Sequence, residues 1–484
     1  MPALALRPLT VLGAAVGVLL LAVSGRYGYF GDELYHVAAG RHLDWGFADQ
    51  GPLTPLLAHA VDALFPGSVV ALRAPAALLA AGLVVLTGAT ARELGGGHRA
   101  QLLAAAACAV SATTLLFGHV THTVIVDLFC WTLLGWLPAR WVRTRDDRLL
   151  LWCGVVVAVA VQNKWLIVAF CAAFAVVVPV VGPRGLLRTP WAWAGAAVAA
   201  LSAAPGVLWQ AAHGWPQLTL SSALGRQPVF GMPPWLPFLP MLLLYSGLLF
   251  GGVLLVHGWV RLLRSPGLAD HRFLGWVAVV VTVIFLVSGG RYYYASGLVP
   301  LLWAAGGVEL ERRRPAAWWR WTTTWPVAVL CAAVAVAQLP LPPRDRLPAT
   351  DFFGRYSTGW PELADRVDAA YRALTPDERR HAVVVADTYF LAGAVEVLAT
   401  DVPAVYSPHR GYADFGTPPE GADVVVHVGG DEESLRRHFD RVRLLTVVEN
   451  PSGVPGTNDR VPLYRCDGPK RSWSSLWAEL RGLV

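Results

Sequence analysis

The chain has 484 residues, a net charge of +6 and a hydrophobic content of 55%. Only 15% of its residues are charged and its mean hydropathy is +0.48, whereas about 25% are charged in an average soluble domain. A soluble protein of this length could not bury so much apolar surface, so the composition excludes that class. The apolar residues also form blocks of about 20 residues, which match a hydrocarbon layer of about 30 Å.

Eleven apolar blocks predict membrane-spanning helices, the first of them an uncleaved helix rather than a signal peptide. They lie at residues 8–24, 69–91, 100–118, 121–140, 149–163, 165–181, 190–210, 236–258, 273–289, 294–310 and 322–340. With a cytosolic N-terminus, the arginines gather in five inner loops, for example Arg92, Arg140, Arg184, Arg264 and Arg314. This distribution follows the positive-inside rule, so the positive net charge does not indicate nucleic-acid binding.

Two longer segments are expected on the outer side. Residues 25–68 are rich in aromatic, histidine and acidic side chains and contain an amphipathic stretch at 55–64. Residues 213–235 form the second segment. The six cysteines have no CxxC spacing and no disulfide framework, and small apolar filler is the simplest interpretation.

The tail from about residue 341 has an ordinary soluble composition. Helical and strand-like stretches alternate along it, at 360–374, 382–385, 423–428, 432–439 and 442–448. The sequence therefore predicts an all-α polytopic membrane module over residues 1–340, with 25–68 as its first extracytoplasmic loop. A small extracytoplasmic α/β domain is expected over residues 341–484.

Acidic side chains beside or within the membrane are costly, so their positions indicate function. Asp32 and Glu33 form a pair directly after the first span, where a carboxylate could act as a general base toward an acceptor hydroxyl. The alternative is a solvated pair or a helix N-cap. Asp127 lies about two turns inside a span and must face a polar cavity or a cation, unless it is a structural hydrogen-bond partner.

Cationic and aromatic side chains are expected at the same outer face. Lys164 is one of only two lysines, and its compact ammonium suits a phosphate, although it could simply snorkel to the interface. Arg291 precedes Tyr292 and Tyr293, a set that could bind a phosphate or a sugar or belong to an aromatic belt. Arg73, near the outer end of the second span, is a further candidate. These groups are expected to share one extracytoplasmic cavity.

In order and sidedness, these residues resemble the GT-C superfamily of polyprenyl-phosphate-sugar-dependent glycosyltransferases. The resemblance covers roughly residues 8–340 and is nearest to bacterial relatives of the protein mannosyltransferases and of the lipid A aminoarabinose transferase. It rests on an acidic pair, a Pro-Leu entry to a juxtamembrane helix, a buried acid and two cationic elements: Asp32-Glu33, Pro52-Leu53, Asp127, Asn163-Lys164-Trp165 and Arg291-Tyr292-Tyr293.

The resemblance implies an inverting transfer of a sugar from a polyprenyl phosphate to a glycan, lipid or protein hydroxyl at the outer face of the cell membrane. It implies that Asp32 is the base, that Glu33 is its neighbour and that Asp127 is the second acid of the cavity. Lys164 and Arg291 would hold the donor phosphate. Gln50-Gly51 replace a lysine found in several relatives, so a donor contact in that loop is in doubt.

The resemblance leaves the cofactor and the tail open. Some relatives bind a divalent cation, and the candidate ligands here are His119, His122 and Asp127; a histidine pair with this spacing is more often structural, so a divalent cation stays possible and no metal site is assigned. In relatives an outer domain sits over the cavity. The tail could guide the acceptor or act only as a stabilising cap, and the side chains that could do the guiding are Trp360, Tyr389, Tyr406 and Arg410.

Two other functions stay open on the sequence. A transporter or lipid flippase would need charge or broken helices near the bilayer midplane, and often inverted repeats, and the sequence indicates none of these. A non-catalytic envelope assembly protein would use the tail as a binding module. In each case the expected partners include membrane lipids and exclude nucleic acid.

Overall fold

The computed structural model describes residues 2–313, 316–343, 347, 352–456 and 458–482. Arg314, one of the inner-loop arginines, lies outside the described residues. The chain divides into two compact units. The helical unit comprises Met1–Ser24, Arg73–Gly214 and Ser221–Leu339, and the mixed unit comprises Gly25–Leu72, Trp215–Leu220 and Pro340–Val484.

Most of the described residues are helical. The first helices in chain order are α1 (Leu6–Val23), α2 (Gly31–Arg41), α3 (Leu53–Leu64), α4 (Val69–Glu93), α5 (His98–Ala109), α6 (Ala112–His119), α7 (Thr123–Thr144), α8 (Arg148–Asn163), α9 (Ile167–Val181), α10 (Pro190–Ala212), α11 (Pro216–Arg226) and α12 (Trp235–Tyr245). They are followed by α13 (Leu248–Arg264), α14 (Arg272–Val287), α15 (Val299–Arg312), α16 (Ala317–Arg320), α17 (Trp325–Val336), α18 (Phe352–Arg355), α19 (Trp360–Arg372), α20 (Pro376–Arg379), α21 (Tyr389–Leu398), α22 (Glu432–His438) and α23 (Trp473–Leu480).

The helical unit makes the chain a multi-pass membrane protein. Within the described residues, five helical segments are long and apolar enough to span a membrane: α1, α4, α7, α10 and Pro266–Val287, which ends with α14. Two bent pairs, α5 with α6 and α12 with α13, would raise the number to seven. Every predicted block contains helix, but the predicted number of eleven spans is not confirmed. Helices such as α8 and α9 have 16 and 15 residues, which is shorter than a hydrocarbon layer.

Two spans that the sequence analysis treated as continuous are broken. The axis bends by 55° between α5 and α6 and by 109° between α12 and α13, where Gly247 has φ 93°. The hydroxyl groups of Ser111 and Thr113, at the first break, donate to the carbonyl oxygen of Tyr245 at the second. The sequence analysis did not anticipate these two bends. Hydropathy averages over such a break, and side chains from another helix satisfy the backbone group that it exposes.

Glycines bring pairs of helices in the helical unit into backbone contact. A Cβ atom at Gly154 of α8 would overlap the backbone of Gly195 in α10, and one at Gly258 of α13 would overlap the carbonyl of Leu302 in α15. Lipid tails are as apolar as leucine, so the hydrophobic effect does not drive helices together within a membrane. Small residues such as these glycines allow the close packing that holds the helices together instead.

A buried carboxylate joins α4 to α7 at the ends where inner-loop arginines are expected. Glu93 is buried, and its side chain pairs with Arg143 at 2.6 Å, Arg92 at 3.2 Å and Arg140 at 3.6 Å. A buried carboxylate is tolerated only with such partners, so these arginines have a structural role beyond their charge.

The mixed unit contains one five-stranded sheet with the order β2-β1-β3-β5-β4. Its strands are β1 (Ala382–Ala386), β2 (Val405–Tyr406), β3 (Val424–Val428), β4 (Phe439–Val448) and β5 (Val461–Pro469). Strands β2, β1 and β3 are parallel, and β5 is antiparallel to both β3 and β4. The expected small C-terminal α/β region is present. The sequence analysis missed β2, which is two residues long, and β5.

The core of the mixed unit is shared by the tail and the first loop. Alternate residues of β1 point to opposite faces: Val384 packs on one face, Val383 and Val385 on the other. The first face is covered by α19, α21 and first-loop residues that include Leu34, Tyr35 and Phe47. Residues 25–72 therefore complete the hydrophobic core beneath the sheet.

Candidate functional site

The acidic end of α2 meets the start of α21 within the mixed unit. Asp32 lies in the first turn of α2, and the Tyr389 hydroxyl donates a hydrogen bond to its Oδ1 at 3.0 Å. Arg410 Nη1 in turn donates to the Tyr389 oxygen at 3.0 Å, and its guanidinium carbon lies 4.6 Å from the centre of the tyrosine ring. A chain of contacts therefore runs from the guanidinium through the phenol to the carboxylate.

Two glycines allow α2 and α21 to approach so closely. A Cβ atom at Gly31 would lie 2.5 Å from the ring of Phe390, and one at Gly393 would lie 3.1 Å from the backbone of Leu34 and Tyr35. Cβ atoms essentially never approach other atoms to less than 3.0 Å, so Gly31 beside Asp32 is a requirement of this packing. The amide of Gly31 also donates to the Tyr356 carbonyl at 3.0 Å.

The sheet explains why Tyr389 and Arg410 lie together. Tyr389 follows β1 and Arg410 follows β2, and the carboxyl ends of parallel strands meet at one edge, where α/β sheets commonly place functional groups. Arg410 has φ 51°, a conformation that is strained for a side chain other than glycine. Its backbone amide donates to the Gly482 carbonyl at 2.7 Å, which holds this geometry.

The pKa shifts of this cluster keep the phenols protonated and the guanidinium charged. Burial and then the charge of Asp32 raise the pKa of Tyr389 well above its usual value. Burial and then Asp49 raise the pKa of Tyr35, whose hydroxyl donates to Asp49 Oδ1 at 3.0 Å. Burial opposes the charge of Arg410, but Tyr389 and the two aspartates outweigh it and raise the pKa of this arginine.

Glu33 has a different environment from its neighbour. Its side chain is fully buried, and Oε2 accepts a hydrogen bond from the backbone amide of Phe30 at 2.8 Å. This contact caps α2, one of the alternatives that the sequence left open. The two acids of the pair therefore have different contacts. Asp32 accepts a hydrogen bond from the Tyr389 hydroxyl, whereas Glu33 caps the N-terminus of α2.

A second polar cluster lies in the helical unit around Asp127. The carboxylate is buried in α7, and Asn163 Nδ2 at the end of α8 donates to its Oδ1 and to the Thr123 carbonyl, each at 2.8 Å. The Lys164 ammonium acts electrostatically on Asp127 and lies 5.6 Å from the centre of the Tyr294 ring. The structure therefore brings Asp127 and Lys164 together, with Asn163 as the residue that fixes the acid.

The tyrosine run forms a 3₁₀ turn, Tyr292–Tyr294, whose rings point to different neighbours. The ring of Tyr292 packs on Tyr245 at 4.8 Å, beside the break between α12 and α13. Tyr293 packs on Phe117 at 5.4 Å. Arg291 Nη2 lies 3.4 Å from Gln227 Oε1 in a weak hydrogen bond. Tyr294 thus contacts Lys164, whereas Tyr292 packs beside the break between α12 and α13.

Arg73 and His119 are fully buried between helices of the same unit. Arg73 Nη1 donates to the Ser24 carbonyl at 2.6 Å, which ties α4 to the end of α1, and its charge acts on His119. In the part of the chain that the structure describes, neither ring nitrogen of His119 has a hydrogen-bond partner. A buried imidazole without a hydrogen-bond partner is unusual.

The described residues form no group of three or more His, Cys, Asp or Glu side chains that could hold a metal ion. His122 Nδ1 accepts from the Val124 amide at 3.1 Å and caps α7, so this histidine has a structural contact. No such group includes His119, His122 and Asp127 among the described residues, and the possible divalent cation stays untested.

Sequence reasoning named Asp32, Tyr389 and Arg410 separately but not their contact. The pattern that could have indicated this contact is an apolar valine run followed by Thr388. In the structure, Thr388 is the N-cap of α21, and its hydroxyl oxygen accepts a hydrogen bond from the Leu391 amide at 3.4 Å. That pattern places the next residue, Tyr389, at the edge of the sheet. Asn163 stood in the Asn163-Lys164-Trp165 motif without an assigned role, and Asp49, directly before Gln50-Gly51, was not assigned one either.

Comparison with known proteins was made against family models, curated sequences and solved structures. Residues 49–209, less than half of the chain, match the family model described as dolichyl-phosphate-mannose-protein mannosyltransferase. No curated protein matches the chain by sequence.

Solved structures match over nearly the whole length. ArnT from Cupriavidus metallidurans bound to undecaprenyl phosphate has a TM-score of 0.64 at 16% identity, with 94% of this chain and 97% of that chain covered. Its apo state gives 0.63 at 15% identity, with 95% and 98% covered. The arabinofuranosyltransferase AftD from Mycobacteria gives 0.52 at 14% identity, with 97% of this chain but 40% of AftD covered. The resemblance predicted from the sequence is thus confirmed, and the chain has the fold of the GT-C superfamily of glycosyltransferases.

Proposed function

We propose that this chain is a membrane glycosyltransferase that takes a sugar from a polyprenyl-phosphate donor and transfers it, with inversion, to a hydroxyl of a glycan, lipid or protein. The reaction takes place at the outer face of the cell membrane, with the N-terminus in the cytosol and the mixed unit outside. The observation that carries the proposal is the match over nearly the full length of both chains to ArnT, a protein whose structure is bound to undecaprenyl phosphate.

The proposed reaction gives each candidate residue a role. The acceptor oxygen forms a bond to the anomeric carbon, the bond from that carbon to the phosphate oxygen breaks, and the electron pair leaves with the polyprenyl phosphate. Asp32 takes the proton of the acceptor hydroxyl. The leaving group is already an anion, so it requires charge stabilisation rather than protonation, and Lys164 and Arg291 supply it.

The remaining candidates are proposed to bind the substrate. Asp127, held by Asn163, orients sugar hydroxyls, and Tyr293 stacks on the ring of the sugar. The other proposed substrate-binding residues of the helical unit are Tyr292, Arg73 and His119. His119 is suited to a substrate hydroxyl because its buried ring nitrogens have no partner within the described residues. Glu33 acts as the neighbour of the base by capping the helix that carries it.

Asp32→Asn tests the base. The variant keeps the size of the side chain but cannot accept a proton, so we expect transfer to fall by at least about 100-fold. Transfer is measured in proteoliposomes with radiolabelled hexosyl and pentosyl polyprenyl phosphates and an envelope extract as acceptor. Binding of undecaprenyl phosphate, measured by native mass spectrometry, is expected to be unchanged.

Asp62→Asn is the matched control. This carboxylate belongs to the same loop, where it lies 3.9 Å from Arg41 and accepts a hydrogen bond from the Gly67 amide at 3.2 Å. Asparagine can still accept that hydrogen bond and the ion pair is long, so the substitution is expected to leave transfer unchanged. Asp32→Asn with a transfer rate near that of the wild type would remove Asp32 as the base.

The broken helices favour one other function. Discontinuous spans are common around the sites of secondary transporters, and two bent pairs are present here. A transporter or flippase would move a fluorescent polyprenyl-phosphate analogue or a labelled solute across the vesicle membrane without forming a new glycosidic bond. The same proteoliposomes distinguish the two, and binding without transfer or transport would indicate a non-catalytic assembly protein.

A further inference from the structure

We infer that Tyr389 and Arg410, which belong to the C-terminal part of the chain, are positioning residues for the proposed catalytic base Asp32. The inference rests on the proposed function and deepens it. It assigns to the α/β part of the mixed unit a role in the transfer reaction, in place of a cap or a guide for the acceptor.

The Tyr389 side chain is held by its neighbours. It is buried, its ring stacks on His409 with the centres 5.4 Å apart, and it meets the edge of Tyr35 at 5.1 Å. The ring therefore has little freedom to turn. A phenol has one proton to donate, and because the oxygen accepts from Arg410, this proton is directed to Asp32 Oδ1.

Arg410 reaches Tyr389 from a strained backbone. Its φ of 51° is sustained by the bond from its amide to the Gly482 carbonyl, and its guanidinium lies over the phenol ring. Strain of this kind persists only where the surrounding structure enforces it, and it occurs most often at functional sites. The buried Nε of Arg410 has no hydrogen-bond partner among the described residues, whereas Nη1 of the same guanidinium donates to the Tyr389 oxygen at 3.0 Å.

The groups around Asp32 and Tyr389 set the charge of the cluster. They are Glu33 on the same helix as Asp32, Asp49 and Tyr35 of the first-loop segment, and His409 and Arg410 after β2. Burial and then Arg410 lower the pKa of His409 to about 4, so this imidazole is neutral at physiological pH. Arg410 remains charged and interacts electrostatically with Asp49 and Asp32.

This arrangement does two things for a base. A hydrogen bond to the charged form of a carboxylate favours that form, so the Tyr389 hydroxyl stabilises the carboxylate that is proposed to take the acceptor proton. The fixed donor also restricts the rotation of the carboxylate, which holds it in the geometry for attack. Arg410 acts only through Tyr389: it strengthens the phenol as a donor and is not itself in contact with the reacting atoms.

Tyr389→Phe removes the hydroxyl and keeps the ring. We expect kcat to fall about 10- to 100-fold with unchanged binding of undecaprenyl phosphate. The acid limb of the pH profile of kcat/KM is expected to move up by about one pH unit, because the carboxylate that has lost its donor is protonated more easily. A purely structural role would lower the folded fraction at every pH and leave the limb in place.

Tyr412→Phe is the matched control. Tyr412 is also a buried tyrosine of the mixed unit, and its hydroxyl donates to a carboxylate, Glu396, away from Asp32. Its variant is expected to keep the pH profile of the wild type. Arg410→Gln should shift the limb in the same direction, and Tyr389→Phe combined with Arg410→Gln should lose no more than Tyr389→Phe alone, since the arginine acts through the phenol.

The outcomes separate this inference from the function on which it rests. If the wild-type chain transfers no sugar, the proposed function fails. If the wild type transfers, Asp32→Asn does not, and Tyr389→Phe keeps the wild-type rate and acid limb, only the positioning role is overturned. If Tyr389→Phe does not fold, Arg410→Gln replaces it, with an upward shift of the acid limb supporting the inference and an unshifted limb rejecting it.

Discussion

Asn163 shows how one amide can make a carboxylate tolerable inside a membrane helix. A charged carboxylate within a span costs several kcal/mol, and an amide nitrogen carries two protons for donation. Asn163 uses them for Asp127 and for the Thr123 carbonyl, so α8 is tied to α7 at the level of the acid. The adjacent Lys164 is held near Asp127 by the chain itself, which is where the proposed function requires a cation for the donor phosphate.

Replacing Lys164 by alanine should weaken the binding of the polyprenyl-phosphate donor. The loss of one ammonium beside a phosphate is expected to reduce the affinity for undecaprenyl phosphate by about 10-fold, or about 1.4 kcal/mol. Native mass spectrometry or a thermal-shift titration measures the change. Lys164→Arg keeps the charge and should recover part of the affinity. Lys470→Ala, the matched lysine of the tail, should have no effect, and an equal loss there would argue against a phosphate contact at Lys164.

At the scale of elements, the contact of α2 with α21 decides whether Asp32 can meet Tyr389. Both helices carry a glycine at the contact, and both glycines face backbone or ring atoms of the other helix. This packing gives the first loop a fixed place in the core of the mixed unit. The two helices are far apart in the sequence, so neither glycine can be interpreted from its local surroundings.

Gly393→Ala tests this contact. The added Cβ atom would lie 3.1 Å from the backbone of Leu34 and Tyr35, so α2 must shift by a few tenths of an ångström. We expect a loss of about 1–3 kcal/mol in stability, seen as a Tm lowered by a few degrees, and a lower kcat because Asp32 moves with α2. At Gly421 a Cβ atom meets nothing within 4 Å, so Gly421→Ala is the control. Equal Tm values for the two variants would contradict the tight contact.

At the scale of the whole molecule, each unit is built from three separate stretches of chain. The chain leaves the helical unit after Ser24 and again after Gly214, and it enters the mixed unit for the last time at Pro340. The core of the mixed unit needs residues 25–72, so the tail from residue 341 does not contain its own complete core. Folding of the tail is therefore coupled to the first loop.

The proposed orientation in the membrane is tested by single cysteines. Glu433→Cys, exposed in the mixed unit, should react with a membrane-impermeant maleimide in intact cells because that unit is proposed to lie outside. Arg184→Cys, exposed in a proposed inner loop, should react only after permeabilisation. The wild-type chain serves as the blank for its six native cysteines. Labelling of Arg184→Cys in intact cells, with Glu433→Cys protected, would reverse the orientation.

The sequence by itself determined that this chain is a membrane protein, where its apolar segments lie and which ionisable residues interrupt or flank them. These features are local. Hydropathy is a property of a window of residues, and the order of Asp32, Asp127, Lys164 and Arg291 along the chain was enough to identify the GT-C resemblance. The strand-like valine runs of the tail are local as well, since a buried parallel strand is apolar on both faces.

Only the tertiary structure decided which of those residues meet and where the helices break. Asp32 and Tyr389 are 357 positions apart, and their contact depends on two glycines and on the order of strands in a sheet. The break at Tyr245 is stabilised by hydroxyl groups of Ser111 and Thr113 from another helix. Such contacts arise from packing between distant segments, which no window of sequence contains, so the roles of Tyr389, Arg410 and Asn163 became visible only in the folded chain.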